Sequence, residues 1–164
     1  MLRRSNYAAL TWTLRMARIQ FSDLHHTVFA TSLECPPVLH PGAHTDNVDL
    51  LQLASLARSR FFAWLGYREG NVEGAQIFVA DQAVQYKAEA FPHQAVEVQM
   101  AVSDMAAKGF DLVYRLVDAH TGQVITLGKI GIVCVDRETK RPCPVPQALR
   151  SKLLALQPLE AVVA

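Results

Sequence analysis

His44-Thr-Asp-Asn-Val-Asp-Leu-Leu-Gln-Leu-Ala-Ser-Leu-Ala-Arg-Ser-Arg-Phe-Phe-Ala-Trp-Leu-Gly66 sets a polar cluster directly on the start of one long helix. Asp46 or Asn47 serves as N-cap, because a short side-chain oxygen there accepts the first free backbone N–H groups. Apolar residues recur at Leu50, Leu53, Ala54, Ala57, Phe61, Trp64 and Leu65, the i, i+3, i+4, i+7 spacing of a helix buried along one side. Gly66 stops it where a positive φ carries no Cβ strain. Over residues 47–65 the helix is about 28 Å long at 1.5 Å per residue. Its start matters for chemistry: free N–H groups and the positive end of the dipole favour an anion, including an oxyanion formed during a reaction.

Outward from this helix the period changes to 2. Residues 27–34 read as a strand ending at Pro36-Pro37, and residues 67–74, with two glycines, as a loop. A long strand is predicted over 75–88, its apolar run interrupted by Asp81 and Gln82, followed by a turn at Phe91-Pro-His-Gln. Val96, Val98, Met100 and Val102 then alternate with Glu97, Gln99 and Ala101, as Phe110, Leu112, Tyr114 and Leu116 do with Asp111, Val113 and Arg115. Each is a half-buried strand. Asp118-Ala-His-Thr-Gly122 is a hairpin connection into the most apolar strand, 123–135, and a proline-rich exit leads to a short helix over 147–156. Strand, long helix, then four strands with short turns make an antiparallel sheet with one helix to cover a face, an α+β fold.

The chain has 164 residues, 51% of them hydrophobic and 19% charged, with a formal net charge of +1. That length supports one core without staples, and a charge near zero provides no field for gathering nucleic acid. Cys35, Cys134 and Cys143 are odd in number and lack CxxC spacing, which points to a reducing compartment rather than a disulfide framework or zinc site. No run reaches membrane-spanning length, and a cytoplasmic protein is expected. Arg3, Arg4, Arg15 and Arg18 precede the first acid, Asp23. This opening reads as an N-terminal extension over 1–25 rather than a transit peptide, before a domain over 26–146 and a C-terminal helix and tail over 147–164.

Several segments together carry a resemblance: Gly42-Ala-His44-Thr-Asp-Asn47 opening the helix, Ala57-Arg58 and Phe61 within it, and Gly66 at its end. Downstream lie Val79-Ala-Asp-Gln-Ala-Val-Gln-Tyr86-Lys-Ala-Glu-Ala, Lys108-Gly-Phe-Asp-Leu-Val-Tyr-Arg-Leu and Ile132-Val-Cys-Val-Asp136. Over residues 26–146 the chain resembles the hotdog-fold acyl-CoA thioesterases of the 4-hydroxybenzoyl-CoA thioesterase type. The resemblance implies an antiparallel sheet wrapped around the long central helix, a homodimer or homotetramer paired through its sheets, and active sites at the dimer interface. It also implies a thioester carbonyl polarised by the helix N-terminus, a carboxylate that assists water or attacks, and basic side chains along CoA. One branch carries its catalytic aspartate where this chain has His40, and another carries a glutamate near Leu56, where no carboxylate lies. The text is closer to a branch reading Gly-His, then Asn and a run of leucines.

Within that frame, His44, Asp46, Asn47 and Asp81 are the catalytic candidates. Imidazole exchanges protons near neutral pH and suits a general base; Asp46 or Asp49 can orient or deprotonate water; Asn47 can hold the carbonyl or the water. Capping and dipole stabilisation are the plain alternatives for these helix-start residues. Asp81 interrupts an apolar strand that the fold places beside the partner's helix start, and a buried carboxylate is costly unless paired or used; an edge position open to water is the alternative. His40, Val48, Asp49, Gln85 and Tyr86 are candidates for lining the acyl site. Arg58 and Lys87 are candidates for the CoA phosphates, beside Arg60, Lys108 and Lys129; an ion pair inside the fold is the alternative for Arg58. His40 and His44 form HxxxH, but Pro41-Gly42 forces a loop between them, so no metal is expected, nor any other cofactor.

Acyl-CoA hydrolysis competes with two other readings. His44-x-Asp46 is similar to the catalytic pair of hotdog enoyl-CoA hydratases, and the altered aspartate and glutamate positions allow an acyl-CoA-binding protein without turnover.

Overall fold

The computed structural model describes residues 19, 21, 24, 26–38 and 43–157. Its element order is β1 (Phe29–Glu34), α1 (Asn47–Trp64), β2 (Ala75–Tyr86), β3 (Ala95–Ser103), β4 (Gly109–Asp118), β5 (Val124–Asp136) and α2 (Gln147–Ala155). The five strands form one antiparallel sheet in the order β1-β3-β4-β5-β2. α1 packs on its inner face, the hotdog arrangement expected from the sequence.

Alternation in the strands settles which side chains meet α1. Val96, Val98 and Met100 of β3 and Phe110, Leu112, Tyr114 and Leu116 of β4 are buried in one core with Leu50, Leu53, Ala54, Ala57 and Phe61 of α1. Glu97, Gln99, Asp111 and Arg115 hold the intervening positions and so lie on the outer face. Phe61 is fully buried, and its truncation to alanine would cost about 3–5 kcal/mol.

α1 ends as the sequence anticipates: Leu65 is the C-cap and Gly66 adopts φ +87°. Two of its aromatic residues depart from the expected stripe. Trp64 is 52% exposed and Phe62 fully buried. Phe62 packs on Phe110, at 6.4 Å between ring centroids, in a core that α2 extends through Leu149 and Leu153. A period of 3.6 cannot register this second cover. Trp64 instead lies against the rim formed by Phe29 and Phe61, at 5.6 and 6.0 Å.

β2 ends at Tyr86 rather than Ala88, because the Lys87 and Ala88 N–H groups both turn to the Ile125 carbonyl, at 2.8 and 3.3 Å. Inside β2, the register on β5 shifts by one between Val79 and Asp81. Such a bulge exchanges the faces of every residue beyond it, and this exchange decides what β2 contributes to the site.

Candidate functional site

The start of α1 is open. Asp46 is the N-cap, its Oδ1 accepting from the Val48 N–H at 2.8 Å. The Asn47 and Asp49 N–H groups have no partner among the described residues. Thr45 holds the segment down, donating its N–H to the Ala90 carbonyl at 2.8 Å, while His44, Asp46, Asn47 and Val48 are exposed. His44 Nδ1 lies 3.1 Å from the Thr45 carbonyl. A carbonyl only accepts, so Nδ1 carries the proton there, and in the neutral ring Nε2 keeps its lone pair. The arrangement thus offers two free N–H donors, a carboxylate and a proton acceptor at the positive end of an 18-residue helix. Such a set suits a developing oxyanion.

β2 supplies the wall beside this opening. Beyond the bulge, Gln82, Val84 and Tyr86 pair with Ile130, Gly128 and Thr126 and share the inner face. The Tyr86 hydroxyl donates to the Asn47 carbonyl at 3.3 Å, tying β2 to the first residue of α1. Tyr114 lies on the same face, over Gly128, where an added Cβ would sit 2.6–2.7 Å from its ring. Its hydroxyl is beside Gln82 and near Tyr86 but makes no hydrogen bond of ordinary geometry. Burial pushes this phenol up to about 12.

Among the described residues, five buried side-chain polar atoms make no hydrogen bond of ordinary geometry: Thr45 Oγ1, beside the Cys35 thiol, Tyr67 Oη, Gln85 Oε1, Tyr114 Oη, beside Gln82, and Thr126 Oγ1. Thr45 precedes α1, Thr126 is directly across from Tyr86, and Tyr114 neighbours Tyr86, so three of the five belong to the open end of α1. Buried polar atoms of this kind mark places where a water or a ligand can supply a partner.

The other expected site residues fall elsewhere. From the sequence, Asp81 is expected beside the helix start of a partner subunit, with an edge position open to water as the alternative; within this chain it lies away from the start of α1. Without the bulge it would pair with Ile130 and face inward; with it, Asp81 pairs with Gly131 and points outward, over the space that the missing Cβ leaves. Its carboxylate is 61% exposed and lies 3.2 Å from Lys129, which also holds Asp111 at 2.7 Å. The two carboxylates and their shared burden of hydrogen bonds keep the Lys129 ammonium charged to higher pH than usual. Gln85, separated from Tyr86 by one position, is likewise on the outer face and not in a common cleft with it. Arg58 pairs with Glu69 at 2.6 Å, about 16 Å along the axis from Asn47 at 1.5 Å per residue, so the ion pair inside the fold occupies it. Arg60 donates to Thr31 Oγ1 and the Ser32 carbonyl at 2.8 and 3.0 Å. Asp49 is half-buried in the first turn of α1, and Lys87 half-buried just beyond β2. His40 lies outside the described residues. Sequence reasoning missed Gln82 and Tyr114 as wall residues; the only signal was two polar-tipped side chains among apolar alternation, which reads equally as core.

The profile of the thioesterase-like superfamily matches residues 35–153, a span that contains the helix start, its β2 wall and most of α2. No curated protein sequence matches the chain. Among solved structures, the 1,4-dihydroxy-2-naphthoyl-CoA thioesterase of Synechocystis superposes with a TM-score of 0.69 at 16% identity, covering 77% of this chain and 95% of that one. The Staphylococcus aureus protein SAV2348, solved in complex with CoA, gives 0.71 at 14% identity, covering 82% and 87%. The DHNA-CoA thioesterase of Staphylococcus aureus gives 0.65 at 21%, covering 77% and 91%. At these identities the superpositions establish a shared fold, and with the profile match over most of the chain they lead to one conclusion: this protein belongs to the thioesterase-like superfamily.

Proposed function

We propose that the chain hydrolyses an acyl-CoA thioester at the open end of α1. The free N–H groups at the helix start, with His44 and Asp46 beside them, carry the reading. The thioester carbonyl oxygen accepts from the Asn47 and Asp49 N–H groups. His44 Nε2 removes a proton from the attacking water, which the free Asp46 oxygen orients. As water adds to the carbonyl carbon, negative charge grows on the oxygen at the positive helix end. Collapse of the tetrahedral intermediate breaks the C–S bond, and the thiolate of CoA leaves, taking a proton from the imidazolium. Lys87, just beyond β2, meets a CoA phosphate. Val48, Asp49 and Tyr86 line the acyl entrance.

The reading includes a homodimer formed along β2. That strand is a sheet edge that carries exposed Phe78 and Val79, and α1 exposes Val48 and Leu56. An unpaired edge bearing apolar side chains is a surface that a second copy covers by continuing the sheet.

The test is free-thiol release from short, long, branched and aromatic acyl-CoAs, with Asp46→Asn beside wild type, and light scattering at micromolar protein. Turnover with a folded wild-type dimer, reduced in the variant, is expected. A folded dimer inactive on every substrate overturns the hydrolase, and a monomer overturns the homodimer along β2.

A further inference from the structure

The hairpin after β5 brings two thiols together at a place that thioester chemistry does not use. Val135 bridges Pro142 in an antiparallel pair. The Asp136 N–H donates to the Arg141 carbonyl, and the Cys143 N–H to the Cys134 carbonyl, both at 2.9 Å. That register sets Cys134 opposite Cys143. Residues opposite one another carry their side chains on the same face, and at a hydrogen-bonded position such as this their Cα atoms are about 5.5 Å apart. A disulfide fits Cα separations of about 4.4–6.8 Å without backbone movement. Burial agrees with the register: Cys134 is fully buried, and Cys143 is partly exposed and packs against the same core.

We propose that Cys134 and Cys143 are a reversible oxidation site, closing to an intrachain disulfide when hydrogen peroxide reaches Cys143. The Cys143 thiolate attacks one peroxide oxygen; the O–O bond breaks, hydroxide leaves, and Cys143 becomes a sulfenic acid. The Cys134 sulfur then attacks the Cys143 sulfur and gives up its proton, while the S–O bond breaks and hydroxide departs. Two thiols lose two electrons, and one peroxide becomes two waters. The order follows from access and acidity. Burial pushes the Cys134 thiol up to about 11, with Cys143 adding to the rise and Arg150 opposing it, so the exposed partner reacts first and the buried one resolves it. The bridge ties the segment entering α2 to the end of β5. Cys35, buried beside Thr45 and Asp49, takes no part.

Peptide mapping of the full chain after graded peroxide tests this. Trypsin cuts after Arg137 and Lys140 put the two cysteines in separate peptides, so a bridged pair is read directly. The expected result is a mass lower by two hydrogens, one Cys134–Cys143 peptide pair, reversal by dithiothreitol, and a Tm raised by roughly 5–10 °C for a short closed loop. Cys143→Ser abolishes closure and Cys35→Ser leaves it unchanged; the wild-type map decides even where a variant folds poorly. An unchanged mass, a sulfinic acid on Cys143 beside free Cys134, or links only between chains would overturn the proposal. No substrate is needed, so the result is separate from whether the chain hydrolyses thioesters.

Discussion

The two ends of α1 are built to opposite specifications. At the C-terminal end, the Leu65, Gly66 and Tyr67 N–H groups return to Phe61, Ala63 and Phe62. There Lys152 donates to the Leu65 carbonyl at 2.8 Å while covering the Tyr67 ring. A cation there also opposes the negative end of the dipole. At the N-terminal end one N–H of the first turn is capped, and two have no partner among the described residues. Both ends had the same chain resources for closure. The closed end anchors the helix, and the open one leaves N–H donors at the positive end of the dipole, where the proposed reaction would use them.

Substitution at each end sharpens this contrast, and the largest effect belongs to the open one. His44→Ala lowers kcat by about 10²–10⁴-fold, the range for losing a positioned general base, while the Tm of this exposed residue stays near wild type. Full activity in the folded variant would break the assignment of chemistry to this end. Next comes Gly128→Ala, where the new methyl meets the Tyr114 ring at 2.6–2.7 Å. Overpacking of this kind costs about 1–3 kcal/mol, measured by denaturant unfolding. Tyr114→Leu in the same chain recovers part of the loss, which a double-mutant cycle reads as coupling.

Sequence made the closed end and the helix legible because their signals are local. Gly66, the apolar spacing and the Asp46 cap are each fixed by neighbours within a few positions. Strand alternation exposed the inner face of β3 and β4 for the same reason. The β2 face was not legible. One extra residue between Val79 and Asp81 reverses the alternation, and the room that accommodates it lies on another strand, where Gly131 leaves space for the Asp81 carboxylate. Asp81, Gln82, Gln85 and Tyr86 therefore exchanged faces relative to an unbroken period of 2. The position of Phe62 escaped detection through an equally distant cause, the cover provided by α2.

The closed end yields a smaller effect. Lys152→Met keeps the aliphatic stem and removes the charge, the bond to Leu65 and the contact over Tyr67. A loss of about 1 kcal/mol of stability is expected, with kcat and KM unchanged. A change in kcat would mean that the two ends are coupled and that the anchoring end is not merely structural.

The smallest effect separates the two faces of β2. Asp81→Asn removes an exposed partner of Lys129, which keeps Asp111, and exposed pairs contribute about 0–1 kcal/mol. Turnover stays within about 0.5 kcal/mol of wild type, roughly a factor of two. The bulge gives this result its force. If β2 ran without it, Asp81 would face inward toward the helix start while Gln82 and Tyr86 turned outward, and the same substitution would remove a carboxylate from the reaction. A folded Asp81→Asn variant without turnover would therefore move the chemistry to the outer face, where Asp81, Lys129 and Asp111 already lie together. Normal turnover leaves the open end of α1 as the place where the carbonyl is held.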